Sequence, residues 1–233
     1  MKLDLLVFAA HPDDAELGCG GTIIKHTSNK LKVGIIDFTK GELGTRGSAK
    51  VRINEANTAS SIMNLTIREN LSFDDGFFVN DDKHKKILIQ KIRKYKPDIV
   101  LTNAPSDRHP DHARASQLTI DACFLAGLEK IETNQEVWRP KAIYHYIQFN
   151  NIIPDFVIDI SLFFDQKMKA VNAYESQFFN PKSQESDTII SSKDFLDSIA
   201  YRAKDLGRQA SCKYAEGFIT HQLPKVNLLK DFK

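Results

Sequence analysis

Apolar residues along this chain follow two alternating rhythms. The first is a short, nearly uninterrupted run, seen in Leu3 to Ala9, in Leu31 to Phe38 and in Asp98 to Thr102. Runs of that length suit strands buried on both faces. The second is a spacing of three to four residues. It covers Thr22 to His26, Ser48 to Met63 and His84 to Tyr95, where Ile87, Leu88 and Ile92 share one helical face. Pro97 stops the last of these. Asn70 to Phe78, with Asp-Asp-Gly at its centre, reads as a turn.

Strands alternating with helices predict an α/β fold, built from right-handed βαβ units around a mostly parallel sheet flanked by helices. The last third is less regular. Ala142 to Phe149 and Phe156 to Ile158 are candidate strands, Phe163 to Tyr174 and Ser192 to Lys213 candidate helices, and Ser183 to Ser192 a surface loop. No repeat or linker divides residues 1–233, so a single domain is expected.

In open parallel sheets, ligands collect beyond the carboxyl ends of the strands. Two polar clusters sit there. His11-Pro12-Asp13-Asp14 follows the first strand, and Asp107-Arg108-His109-Pro110-Asp111-His112 follows the strand ending at Thr102. Imidazoles and carboxylates are natural zinc ligands. His11 and Asp14 can hold one ion from one side, with Pro12 stiffening their turn and Asp13 beside the metal. His112 supplies a third ligand, and three protein ligands leave the fourth position open to water, as a catalytic zinc requires. His109 is a candidate electrophile or acid, and Asp111 a candidate partner to orient an imidazole. Either cluster alone is equally consistent with a capped turn leading into a helix. Two such clusters at one sheet edge are much harder to explain that way.

Composition narrows the partners. Lys+Arg number 32 against Asp+Glu 30, a net charge of +2, which argues against nucleic acid or an anionic membrane as the main partner. Cys19, Cys123 and Cys212 are scattered and form no C-x-x-C pair, so reduced thiols are expected, with Cys19 close to the first cluster. The opening apolar run is broken by Asp4 and is too short for a signal sequence or a membrane span, which predicts a cytoplasmic protein. Gly18-Cys19-Gly20-Gly21 offers a rival reading as a nucleotide-binding module. A dinucleotide fingerprint would need glycine at position 23, which is Ile23, and it leaves His-Pro-Asp-Asp without a role.

The run from Ala10 to Gly21, together with His109-Pro110-Asp111-His112, resembles the PIG-L/LmbE-like zinc deacetylases. Among them it is most similar to the N-acetylglucosaminyl-malate deacetylases of bacillithiol biosynthesis. Thr39-Lys40-Gly41-Glu42-Leu43-Gly44, the Arg52 and Glu55-Ala56 pair and Tyr214-Ala215-Glu216-Gly217-Phe218 match as well. The resemblance implies a Rossmann-like fold with a zinc site at the carboxyl edge of the sheet. It carries the ligands onto His11, Asp14 and His112, the general base onto Asp13, and a supporting histidine with its partner carboxylate onto His109 and Asp111. The substrate-binding arginine falls on Arg52, with Glu42 and Arg108 as further candidates for sugar or amide contacts. Asp107 stands where some relatives carry a tyrosine, so no tyrosine-assisted oxyanion site is carried over. Arg46 is read as a charge on the surface. The implied cofactor is one Zn2+ per chain, with other divalent ions possible. The implied partner is a small N-acetylated sugar, and the implied assembly a trimer or hexamer. In the expected reaction Asp13 takes a proton from water, a protonated His109 stabilises the oxyanion, and Asp13 or His109 protonates the leaving amine. Diacetylchitobiose, inositol-linked N-acetylglucosamine and mycothiol-type conjugates are alternative substrates.

Overall fold

Every residue of β1 (Leu5–Ala9) and β2 (Val33–Thr39) is buried, as their apolar runs demand of strands covered on both faces. The computed structural model describes residues 1–225, 227 and 228. These two strands join β3 (Ile67–Phe73), β4 (Ile99–Asn103), β5 (Ala142–Tyr146), β6 (Phe156–Asp159) and β7 (Ala215–Thr220) in one sheet of order β3-β2-β1-β4-β5-β7-β6. The first five strands pair in parallel, and only β7 runs against its neighbours. Leu5 is in register with both Val33 and Ile99, so β1, β2 and β4 end side by side.

Alternation along β1 divides the core. Leu5, Val7 and Ala9 pack on one face with Ile23 and Ile24 of α1 (Asp14–Ser28), Ala56 and Ala59 of α2 (Ala49–Ile62) and Val171 of α5 (Phe164–Asn172). Leu6 and Phe8 pack on the other with Leu88 and Ile92 of α3 (Asp82–Tyr95) and Leu118 and Ala122 of α4 (Pro110–Ala126). The remaining helix, α6 (Lys193–Gln209), buries Ile199 and Ala203.

Two expectations change. Asn70 to Phe78 is not wholly a turn: β3 occupies residues up to Phe73, and the turn begins at Asp74, whose carbonyl accepts from the N–H of Phe77 and Phe78. The first helix starts at Asp14 rather than Thr22, and it is broken at Cys19 (φ −143°, ψ 20°). Gly18 precedes the break because nothing larger fits: a Cβ there would run into the ring of Tyr146. Ala215 to Thr220 is the strand β7, and it anchors the second half of α1. Glu216 accepts from the N–H of Gly21 (2.9 Å) and Thr22 (2.7 Å), and Lys167 Nζ donates to it at 2.6 Å. A dinucleotide module would present such amides to a phosphate. Here a buried carboxylate already holds them.

All three cysteines are free; Cys19 and Cys123 are buried. Burial pushes the Cys19 thiol well up, which makes it inert rather than reactive. Among the described residues no helix is long and apolar enough to cross a membrane.

Candidate active site

The chain leaves β1 into a strained turn. Asp13 has φ 116°, a region that non-glycine residues rarely occupy and that recurs at functional sites. Its side chain caps no amide of α1, although it stands at the N-cap position. The capped-turn explanation therefore fails for Asp13. The carboxylate instead meets Arg52 Nη2 at 2.5 Å, while Arg52 Nε donates to the Pro12 carbonyl at 3.0 Å. Arg52 reaches there from the first turn of α2, which begins at a Ser48 cap. Gly41 (φ 64°) lets the preceding loop pass against the guanidinium, because a Cβ would stand 2.5 Å from Arg52 Nη1.

Asp14 lies at the centre of the cluster. Its carboxylate accepts from the His11 N–H (3.0 Å), Asn103 Nδ2 (3.0 Å) and Gln148 Nε2 (2.6 Å). Asn103 also accepts from the Ala10 N–H, so the end of β4 holds the end of β1. The other side of the carboxylate faces two imidazoles, with Oδ2 3.5 Å from His11 Nδ1 and Oδ1 3.3 Å from His112 Nε2. Burial works against charge on Asp14, but His112 and His11 outweigh it and hold the carboxyl well below its usual range.

Both imidazoles are turned by carboxylates on their far side. His112 Nδ1 lies 2.9 Å from Asp107 Oδ2, and His11 Nε2 lies 3.0 Å from Asp75 Oδ1 and 3.3 Å from Asp111 Oδ2. Asp75 and Asp111 are themselves held, Asp75 by the Leu43 N–H, Asp111 by the Gly76 N–H and Arg114. Such outer carboxylates fix the tautomer of a ligating histidine and raise its basicity. Burial opposes charge on His112, yet Asp14 and Asp107 lift it to about 9. A dication arriving here must displace protons, so its affinity rises with pH.

The groups fit a metal. Tetrahedral zinc with bonds of about 2.0–2.1 Å needs ligand atoms roughly 3.3 Å apart. Each imidazole lies near that distance from one oxygen of Asp14, His11 Nδ1 at 3.5 Å from Oδ2 and His112 Nε2 at 3.3 Å from Oδ1. The ring nitrogens of His11, His109 and His112 also lie within 4.8 Å of one another, as do ligand atoms of His11, Asp75 and Asp111. Among the imidazoles, the carboxylates of the last group contact His11 alone, whereas Asp14 faces both His11 and His112, which makes it the better-placed acid. Removing the support behind His112 tests this arrangement. Asp107→Ala is expected to weaken metal affinity about 10–100-fold, read by competition against a chelating dye. Unchanged affinity would mean that Asp107 does not tune this imidazole.

The remaining candidates divide. His109 Nδ1 accepts from the Asp111 N–H as the N-cap of α4, so the neutral ring carries its proton on Nε2. Burial, then the charges of His11 and His112, hold His109 below its usual range. Accepting at Nδ1 favours the neutral ring over the expected imidazolium, and Asp111 pairs with His11, not with the His109 ring. Arg108 lines the cavity with its guanidinium over the Phe149 ring, 4.8 Å from the centroid. Glu42 does not line it and accepts from the N–H of Lys40 and Asp75. Arg46 is buried, against the expectation of a surface charge. Sequence reading does not find Asp75, Asn103 or Gln148. Of these only Asp75 carries a signal, the Asp-Asp-Gly turn.

These groups enclose a cavity of about 300 Å³, roofed by Thr188, Ile189, Ile190 and Phe195. A depression of about 450 Å³ between α4 and β5 is larger. Among the described residues, the His11, His109 and His112 cluster able to hold a metal lines the first.

A family model, PIG-L, described as GlcNAc-PI de-N-acetylase, matches residues 6–123, which include both clusters. Diacetylchitobiose deacetylase of Thermococcus kodakarensis is 29% identical over 225 residues, covering 91% of this chain and 81% of that protein. A probable N-acetyl-alpha-D-glucosaminyl L-malate deacetylase 2 of Bacillus anthracis is 25% identical, covering 75% of this chain and 81% of that one. The crystal structure of the conserved protein TT1542 from Thermus thermophilus superimposes with a TM-score of 0.88 at 36% identity, covering 97% of this chain and 98% of that one. The chain belongs to the PIG-L family of de-N-acetylases.

Proposed function

We propose that this protein is a cytoplasmic, zinc-dependent hydrolase that removes the acetyl group from N-acetylglucosaminyl-malate, in bacillithiol biosynthesis. The observation that carries the metal chemistry is the Asp14 carboxylate set between two imidazoles, Oδ2 3.5 Å from His11 Nδ1 and Oδ1 3.3 Å from His112 Nε2. When bound, a divalent ion supplies Lewis acidity to the acetamide carbonyl and lowers the pKa of water to about 7. His11, Asp14 and His112 would hold it.

The chain's own groups do the rest. Asp13 takes the proton of the attacking water and returns it to the leaving amine. Arg52 fixes the position of that carboxylate. His109 donates its Nε2–H to the oxygen that gains charge at the acetyl carbon, a contact of the kind worth about 3–4 kcal/mol in the transition state. Arg108, stacked on Phe149 at the cavity wall, favours an anionic aglycone, since a guanidinium pairs bidentately with carboxylates. The likeness to the Thermococcus protein favours a second reading, a neutral chitobiose-like substrate.

The test is acetate release by the zinc-loaded protein from N-acetylglucosaminyl-malate, diacetylchitobiose and inositol-linked N-acetylglucosamine. The malate compound is expected to have the highest kcat/KM. Faster turnover of either other sugar moves the substrate, and no release from any of them sinks the reading.

A further inference from the structure

Arg46 is 4% exposed, and its Nε and Nη2 are buried without a hydrogen-bond partner among the described residues. Leaving buried donors of a charged group unmade is costly. The side chain lines the same cavity as Arg52 and Arg108, and its backbone is fixed by Gln177 Nε2, which donates to the Arg46 carbonyl at 2.9 Å. One carboxylate stands near it. Glu185 Oε1 accepts from the Gly47 N–H at 2.8 Å, while Oε2 remains 3.8 Å from Arg46 Nε, beyond hydrogen-bond reach. The Glu185 side chain is 45% exposed and comes from the segment whose Thr188, Ile189 and Ile190 wall the cavity.

We propose that Arg46 and the Gly47 N–H form a carboxylate subsite, which Glu185 fills loosely in the free protein and a carboxylate on the substrate's aglycone takes over. A buried guanidinium beside a backbone N–H matches the two oxygens of one carboxylate. The group already there is a carboxylate, which marks the chemistry. Its poor geometry and exposure make it displaceable, because a half-exposed ion pair is worth little. A substrate acid that reaches Arg46 with good geometry satisfies donors that Glu185 leaves unmade. In its link to turnover this rests on the N-deacetylase reading above.

The test compares zinc-loaded wild type, Arg46→Gln, Arg46→Lys and Glu185→Gln on N-acetylglucosaminyl-malate and on diacetylchitobiose. Arg46→Gln is expected to raise KM for the acidic substrate about ten- to hundredfold more than for the neutral one, with kcat moving little. Arg46→Lys falls between. Glu185→Gln, which removes the competitor, lowers KM for the acidic substrate alone, by about two- to fivefold. Equal shifts on both substrates in Arg46→Gln would show that Arg46 only packs the loop, and the subsite would be abandoned. A higher acidic-substrate KM in Glu185→Gln would likewise remove the surrogate role. Should wild type release acetate from neither sugar, the functional reading fails by itself. Calorimetry with free L-malate then decides the subsite: binding lost in Arg46→Gln upholds it, and binding that is equal or absent in both overturns it. If Arg46→Gln does not fold, Glu185→Gln, altered at an exposed side chain, decides by the same KM comparison or by tighter L-malate binding.

Discussion

Asp13→Asn lowers kcat by about 10²–10⁴-fold while the zinc content stays at the wild-type level. Asparagine keeps the volume of the side chain and an oxygen to accept from Arg52 Nη2. It is also one of the few residues that tolerates positive φ, so the 116° turn survives. What it removes is the proton acceptor. That loss falls on the chemical step, so kcat and kcat/KM drop together and KM changes little. The wild-type pH profile carries the matching sign. Burial raises the Asp13 carboxyl to about 7, against the pull of Arg52. The base acts only when deprotonated, so the rate falls as pH drops through its pKa. A dication beside it adds to the pull of Arg52 and moves that limb to lower pH. Asp13→Asn should lose the limb as well as the rate. Steady-state kinetics from about pH 5 to about pH 9, with metal analysis of each sample, reads both. A variant within about threefold of wild type would move the base elsewhere, His109 being the next candidate.

The site is legible in the sequence to the extent that its residues are contiguous. His11, Asp13 and Asp14 are a single turn, and His109, Asp111 and His112 a single helix start, so strand-end logic alone brings them to one edge. Asp107 lies in the same run, but its job, holding His112 Nδ1, depends on a side-chain direction that spacing does not give. Asn103 at the end of β4 and Gln148 just past β5 are single polar residues, and nothing in the sequence gives a reason to prefer them. Arg46 escapes this logic because a charged residue in a glycine-rich loop looks exposed. Its cover comes from residues more than a hundred positions later, Gln177 and Glu185. The fold hides in similar places. β3 is an edge strand carrying Arg68, Glu69 and Asn70, and edges tolerate charge. Arg68 there reaches Asp37 and Glu16, which offsets the cost of its position in the strand. The start of α1 is masked by three glycines, poor helix formers: Tyr146 leaves Gly18 no room for a side chain, and Glu216 holds the amides of Gly21 and Thr22.

Asp14→Asn is expected to reduce bound zinc from one per chain to a small fraction and to lower activity by at least about 10³-fold. Replacing one oxygen by an amide removes more than a charge. All three protein groups bonded to this carboxylate are donors: the His11 N–H and Asn103 Nδ2 on Oδ2, and Gln148 Nε2 on Oδ1. Whichever way asparagine turns, its NH₂ meets a donor, at a cost of about 1–3 kcal/mol for the unsatisfied group. The variant therefore loses the anionic ligand and disturbs the tie between β1 and β4. Asp14→Ala separates the two effects, since it removes the ligand without adding a donor. It should match the zinc loss with a different stability change, read by urea denaturation of the metal-free proteins. Zinc bound one to one with wild-type turnover in Asp14→Asn would rule out Asp14 as a ligand. The ion would then rest on His11, His109 and His112, whose ring nitrogens lie close enough to share it, and His109 would exchange its role as a donor for that of a ligand.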